Sequence, residues 1–384
     1  MTELDTVRSQ VPAIQRGGYF NGGYTGPLCA AARTAADEVT RREYENGRMG
    51  RAARAASAAI TSRARANVAR LLNVPAAGIV LTQHTTDGMN TVVRGLRWQP
   101  GDNAVTTRME HKGAILPFGL LRRRESLQVR AVDVAAQLPT ADLVNAIVDA
   151  IDERTRLVLL SHVSYVNGSV LPLDEIVAKA ARHDCLVVVD GAQSAGVLPL
   201  DVPALGVDGY AISGQKWLCG PEGTGGLYLN QRALDRIEQS WVGYNSATSW
   251  TTEGDFVPNP DVSRFEVGTR SMAALAGFAA AIDWLLDEVG IQWIADRVYN
   301  LAETFRSGLT AADGVQVLTP ANHVGLVSFR LPMSPDTLVE RLEDDAVMVR
   351  SIFGFDCVRA SVGFFHSEAE VDDLVRHIAK RAGQ

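Results

Sequence analysis

Lys216 is the residue in this sequence best placed for covalent chemistry. It stands between a short apolar run and a glycine-rich turn, in Tyr-Ala-Ile-Ser-Gly-Gln-Lys-Trp-Leu-Cys-Gly-Pro-Glu-Gly-Thr-Gly-Gly-Leu-Tyr from 210 to 228. The chain has only four lysines, and two of them, Lys179 and Lys380, lie in polar helical patterns. Trp217 and Leu218 would strip water from the Lys216 ammonium and lower its pKa. A neutral lysine amine attacks aldehydes. A lysine snorkelling from a strand end is the competing reading, and company decides between the two.

An aldehyde cofactor of the pyridoxal phosphate type needs a phosphate cradle, a carboxylate at its pyridine nitrogen and a group over its ring. The sequence offers candidates for each. Thr85, Thr86 and Gly88 open a helix, where free backbone N–H groups and hydroxyls hold phosphate. Ser213 adds a hydroxyl three residues before the lysine. Asp190 ends the run Cys-Leu-Val-Val-Val-Asp, so its carboxylate emerges from a buried sheet and needs a cation to stay ionised. Gln193, in the following turn, could reach the ring's phenolic oxygen, and His111 could cover the ring and move a proton. Taken singly, each reads equally well as a helix cap, a turn or a half-exposed side chain.

The elements that must position these residues alternate from residue 79 onward. Strands are expected at Ile79 to Thr82, Ala104 to Thr106, Val129 to Val132, Leu157 to Leu160, Leu186 to Val189 and Gly209 to Ser213. Helices fall between them, from about Asp87, Ala114 and Ala141, and over Leu173 to His183. Such alternation implies an α/β fold with a mostly parallel sheet covered on both faces. Ligands then lie beyond the strands' carboxyl ends. The polar residues come just there: Thr85 and Thr86, Glu110 and His111, His162 to Asn167, Asp190 and Gln193, Ser213 and Lys216. Five strand ends converge on one face.

Around this sheet, residues 29–72 read as two helices broken at Gly47 and Gly50. Residues 19–28 read as an ordered glycine-rich loop near the site, bringing Asn21 and Tyr24, and residues 240–263 as a long aromatic loop over it. Arg264 to Thr269 is a compact turn, and Ala273 to Leu286 an apolar connecting helix. Helices at Trp293 to Leu309, Pro335 to Asp344 and Glu368 to Ala382, with strands near Val315 to Leu318 and Leu326 to Leu331, suggest a smaller α+β unit. The division expected is therefore 1–28, 29–270 and 271–384.

Composition narrows the partners. Hydrophobic residues make up 46% of the 384, charged residues 21%, and the formal net charge is -7, which argues for a globular protein and against a nucleic-acid surface. The four cysteines, Cys29, Cys185, Cys219 and Cys357, form no Cys-x-x-Cys pair, so neither a disulfide framework nor a metal site is expected. No apolar run reaches membrane length and the N-terminus has no export pattern, so a cytoplasmic protein is expected.

The set Thr-Thr-Asp-Gly-Met-Asn at 85–90, Glu-His at 110–111, Asp-Gly-Ala-Gln at 190–193, Ser-Gly-Gln-Lys at 213–216 and Arg-Phe-Glu-Val-Gly-Thr at 264–269 resembles the class V aminotransferase family of fold-type I pyridoxal phosphate enzymes. Within it the chain is similar to the branch of cysteine desulfurases and isopenicillin N epimerases. The resemblance covers nearly the whole chain. It implies a seven-stranded-type sheet, Lys216 as the Schiff-base lysine, Asp190 on the pyridine nitrogen, His111 over the ring and Gln193 near the phenolic oxygen. It also implies Thr85, Thr86 and Ser213 on the phosphate, a homodimer in which Gly268 and Thr269 reach the partner's phosphate, and Arg359 on the substrate carboxylate. A guanidinium suits that last task through two parallel hydrogen bonds.

Departures from the pattern bear on the reaction. Desulfurases carry a nucleophilic cysteine on a loop before the carboxylate arginine, whereas residues 350–359 here are short and Cys357 falls beside Arg359. Gln215 replaces the usual histidine, and Tyr165 stands where desulfurases have asparagine, with Asn167 two residues on. Without the desulfurase cysteine loop, a carbon-sulfur lyase acting on an S-substituted cysteine is the favoured reading, and the resemblance to relatives of antibiotic pathways implies a place in secondary metabolism. Oxidative decarboxylation, transamination, epimerisation and a regulatory pyridoxal-phosphate-binding protein are the alternatives.

Overall fold

The structure is a computed structural model that describes residues 3–134 and 140–382; the outermost residues of the expected first and last parts lie outside them. Its centre is a seven-stranded sheet built from β1 (Ile79–Thr82), β2 (Asn103–Thr107), β3 (Gln128–Val132), β4 (Thr155–Ser161), β5 (Leu186–Asp190), β6 (Gly209–Ser213) and β7 (Gly225–Leu229). Their order across the sheet is β1-β7-β6-β5-β4-β2-β3. The pairs β2–β3, β2–β4, β4–β5 and β5–β6 are parallel, and β7 alone runs antiparallel to both its neighbours. Every residue of β5 and β6 is buried, which is why these strands read as continuous apolar runs rather than alternating ones.

The sequence gives little sign of β7, because Gly225 and Gly226 weaken its strand signal. Packing explains them. A Cβ at Gly226 would come 2.8 Å from Val68, on the helix Arg51–Leu72, and one at Gly225 would come 2.6 Å from the carbonyl of Ile212. Glycine here permits close approach of helix and neighbouring strand.

The helices Ala30–Asn46 and Arg51–Leu72 part at Gly47 and Gly50, whose φ values of 75° and 96° suit glycine. Both pack against the apolar helix Met272–Asp283. That helix does not continue regularly to Leu286. It widens into a π turn over Trp284–Val289, where the Gly290 N–H reaches back to Leu285.

A second, four-stranded antiparallel sheet is built from β8 (Gln316–Val317), β9 (Leu326–Arg330), β10 (Arg350–Ile352) and β11 (Cys357–Ser361), in the order β8-β9-β11-β10. The loop from residue 19 ties the two sheets. Gly18–Tyr19 pairs with Val347–Met348, and the Ser361 N–H donates to the Phe20 carbonyl at 2.7 Å. Within 240–263, expected as loop, Ala247–Trp250 and Phe256–Pro258 form an exposed hairpin. No described helix is long and apolar enough to cross a membrane.

Candidate active site

The turn after β6 is held by backbone bonds from Gly214 to Thr224 and from Gly220 back to Gly214, both 2.9 Å, so Lys216 leaves it in a fixed direction. Burial pulls the lysine amine down to about 8, against Asp190, which favours the ammonium; Arg359 and Arg350 lower it further. The amine is therefore neutral in a useful fraction near neutrality.

Asp190 ends β5, directly beside Ala211 of β6. One of its oxygens accepts the Ala192 N–H at 2.9 Å. Burial raises its pKa and Lys216 opposes that rise, so the carboxylate depends on a nearby cation to stay charged. His111 caps the helix Lys112–Glu125, its Nδ1 accepting the Gly113 N–H at 3.1 Å. Burial, then the charges of Lys216 and Lys112, hold its pKa down at about 4, so the ring is neutral and carries its proton on Nε2.

Thr85 opens the helix Thr85–Gly95 under β6. Its N–H donates to the Ser213 hydroxyl at 3.0 Å, and the two hydroxyl oxygens lie 2.7 Å apart. Thr86 crowds Gly113 so closely that a Cβ there would collide with its hydroxyl. Gln193 is already engaged: its amide N–H donates to the Gly23 carbonyl at 2.9 Å and its oxygen accepts the Trp217 indole N–H at 2.8 Å. It thus fastens the 19–28 loop to the lysine turn. Gly268 and Thr269 share a cleft with Thr86 of this group. They line a cleft of about 610 Å³ with Thr86, Asp87 and Trp241, and the Thr269 hydroxyl lies 2.5 Å from that of Tyr244.

At the other end, Arg359 on β11 is 1% exposed. One of its amino groups donates to the Tyr165 carbonyl at 2.6 Å, while Nε and Nη2 are buried without a partner. Burial and the neighbouring Arg350 both work against its charge, and no carboxylate among the described residues bonds to it. Buried donors are normally satisfied, so this guanidinium is built for an anion. Asn21 Oδ1, Asn167 Nδ2, Gln215 Oε1 and Ser361 Oγ are likewise buried and unpartnered. Asn167 turns its oxygen to Ser169, and Tyr24 is exposed with the Arg350 guanidinium 4.5 Å from its ring centre.

Arg350 was not singled out in the sequence. Its only signal is register, since it faces Arg359 across β10 and β11. Glu110 was expected only as a polar residue at a strand end. It is buried, accepts bonds from Ser161 and Thr107 at 2.5 and 2.8 Å, and burial pushes its carboxyl up to about 7. Cys357 is fully buried in β11, its thiol pushed up to about 11 by burial.

Residues 19–374 match the family profile described as aminotransferase class-V. The chain belongs to that family. A probable cysteine desulfurase of Methanothermobacter thermautotrophicus is 31% identical over 401 aligned positions, covering 99% of this chain and 98% of the relative. A lysine-to-alanine mutant of C-DES, with glycine covalently linked to its PLP cofactor, superposes with a TM-score of 0.92 at 33% identity, covering 97% of this chain and 98% of that one. C-DES is also known in complex with cysteine persulfide, where it is described as a cystine C-S lyase; that structure gives a TM-score of 0.91 at 33% identity over 96% of this chain and 99% of that one. An apo cysteine desulfurase from Thermococcus onnurineus gives 0.90 at 26% identity, with both chains covered in full.

This class-V enzyme therefore uses pyridoxal phosphate, and its residues fit the cofactor. The lowered amine of Lys216, the buried Asp190 beside it and the paired hydroxyls of Thr85 and Ser213 are the donor set that an aldehyde, a pyridine nitrogen and a phosphate require.

Proposed function

We propose that the enzyme is a carbon-sulfur lyase that eliminates a thiol from the β carbon of an S-substituted cysteine, with pyruvate and ammonia from the amino-acid portion. The observation carrying this reading is Cys357, a thiol locked inside β11 rather than presented on a loop. Without a mobile nucleophile to receive sulfur, the sulfur must depart with its own substituent. The likeness to a cystine C-S lyase at 33% identity supports the same choice.

Bound pyridoxal phosphate supplies an electron sink next to the substrate's α carbon. The chain's own residues do the rest. Asp190 and Lys216 would hold the ring nitrogen and the aldehyde carbon, Thr85, Thr86 and Ser213 the phosphate, and Gln193 the neighbourhood of the phenolic oxygen. Arg359, with Asn21 and Asn167 nearby, would seat the substrate carboxylate. Lys216 Nζ would take the α proton, and the β C–S bond would break with its electron pair on sulfur. His111, neutral and fixed through Nδ1, would cover the ring.

Gly268 and Thr269, in a cleft with the exposed Trp241 and next to the exposed Tyr244, favour a homodimer in which this surface meets a second copy. We place the enzyme in the cytoplasm on its four unpaired cysteines, which suit a reducing compartment, and its substrates in secondary metabolism on the resemblance set out above.

The test is purified holoenzyme incubated with S-alkyl cysteines and cystine, with pyruvate, free thiol, carbon dioxide and oxygen uptake followed together. Stoichiometric pyruvate and thiol support the lyase. Carbon dioxide release with oxygen uptake and no pyruvate would replace it with oxidative decarboxylation, and dependence on an added keto acid would replace it with transamination.

A further inference from the structure

Beside Arg359 the site has a wall whose parts are unusually well fixed. Tyr165 packs edge-on against His111, with ring centres 5.1 Å apart and planes at 87°, and edge-on against Phe355 on its other side, at 6.4 Å and 89°. The three rings form one chain leading away from the lysine. Its far end is held by backbone. β10 and β11 pair Ile352 with Cys357, and the four residues between them turn with positive φ at Gly354 and Asp356. Arg330 donates to the carbonyls of both Phe355 and Asp356, at 2.8 and 2.6 Å, so the turn cannot swing freely. Behind the rings lie Val166, Ile352 and Cys357, all buried, with Met109 and Leu318.

Tyr165 also links this wall to the carboxylate end, because its carbonyl receives the Arg359 guanidinium. The Tyr165 side chain also feels the charges of Arg359 and Arg350, so a substrate whose carboxylate sits on Arg359 is brought close to that ring. That ring is half-buried, and its hydroxyl makes no hydrogen bond with the described residues, so it is the polar atom the wall offers. Around that ring the wall is Val166, Ile352, Cys357, Met109, Leu318 and Phe355, and the charges that act on Tyr165 are those of Arg359, Arg350 and Glu110.

Resting on the lyase reading above, we infer that Tyr165 and Phe355 form the subsite for the group carried on sulfur, and that this group is uncharged and apolar, alkyl or aryl. Tyr165 sets its position by edge contact, and Phe355 closes the far side. The subsite exists because residues 353–356 are a short, clamped turn.

The test compares S-benzyl-L-cysteine with S-methyl-L-cysteine on wild-type holoenzyme and on Phe355→Ala and Phe355→Leu. Binding is measured by calorimetry alongside turnover. Losing one well-packed aromatic edge should raise both Kd and KM for the benzyl compound by about fivefold to tenfold, with less than about twofold change for the methyl compound and kcat little altered. Phe355→Leu should recover part of the loss. Equal weakening for both compounds, or a fall in kcat alone, would show that the wall only supports His111 and would overturn the subsite. So would cystine binding tighter than the benzyl compound and unaffected by the changes at Phe355. The binding arm separates the two claims: absence of thiol release from every substrate sinks the lyase reading, whereas selective loss of benzyl binding in Phe355→Ala still upholds the subsite.

Discussion

Asp190 and Lys216 stand at the carboxyl ends of adjacent strands and pull the lysine's protonation in opposite directions from its surroundings. Burial favours the neutral amine, and the carboxylate favours the ammonium. The result, about 8, is a balance that single substitutions should tilt in predictable directions.

Capture of pyridoxal phosphate by the apoenzyme should accelerate as pH rises through about 8 and then level off, because only the deprotonated amine attacks. Asp190→Asn removes the charge that favours the ammonium and should move the midpoint lower by about one pH unit. Lys216→Ala should show no covalent capture at any pH. Absorbance stopped-flow reads all three, and a wild-type midpoint above 10 would refute the account of Lys216.

Arg359→Met should raise KM for the amino acid by about 30-fold to 150-fold, corresponding to roughly 2–3 kcal/mol for charge-assisted hydrogen bonds, while changing kcat much less. The same change should leave Tm equal or higher. It removes a buried cation whose Nε and Nη2 have no partner in the free protein. A large fall in Tm would mean that Arg359 is mainly structural.

How much of this could be read in advance differs by residue. β1 and β6 were expected at their observed limits because fully buried strands leave uninterrupted apolar runs, Ser213 and Lys216 follow directly from where β6 stops, and Asp190 from where β5 does. Arg350 and Phe355 could not be found that way. Their place depends on the pairing of β10 with β11, a tertiary fact, and on a turn clamped by Arg330 from a third strand. β7 was hidden for a local reason, since its two glycines answer to Val68 and Ile212 rather than to strand propensity.

Glu110 gives the protein a pH dependence of its own. Its carboxyl is raised to about 7 in the fold from an ordinary value of 4.5, so between those limits the folded state binds more protons than the unfolded one. Its contribution is present in full below about 4.5 and is lost as pH rises through about 7, a difference of roughly 3 kcal/mol. Glu110→Gln keeps the shape and removes the titration. Denaturant unfolding from pH 5 to pH 8 should show wild type losing stability relative to Glu110→Gln. A constant gap between the two would show that Glu110 does not titrate there.

The loop of residues 19–28 should control the lysine turn through two contacts. The Gly26 N–H donates to the Gln215 carbonyl at 2.7 Å, and Gln193 bridges Gly23 and Trp217. A Cβ at Gly26 would strike the Lys216 carbonyl, a backbone atom that cannot turn aside. Gly26→Ala should therefore displace the loop or the lysine, slow cofactor capture at least about tenfold, and open residues 19–28 to protease. Gln193→Leu acts differently. It leaves the Gly23 carbonyl and the Trp217 indole N–H unpaired, a destabilisation of about 2–6 kcal/mol from two unsatisfied groups, with the amine's pH midpoint unmoved. Limited proteolysis and capture kinetics on both variants separate a steric effect on Lys216 from simple loosening of the loop. If Gly26→Ala captured the cofactor at the wild-type rate, the loop would have no hold on the lysine.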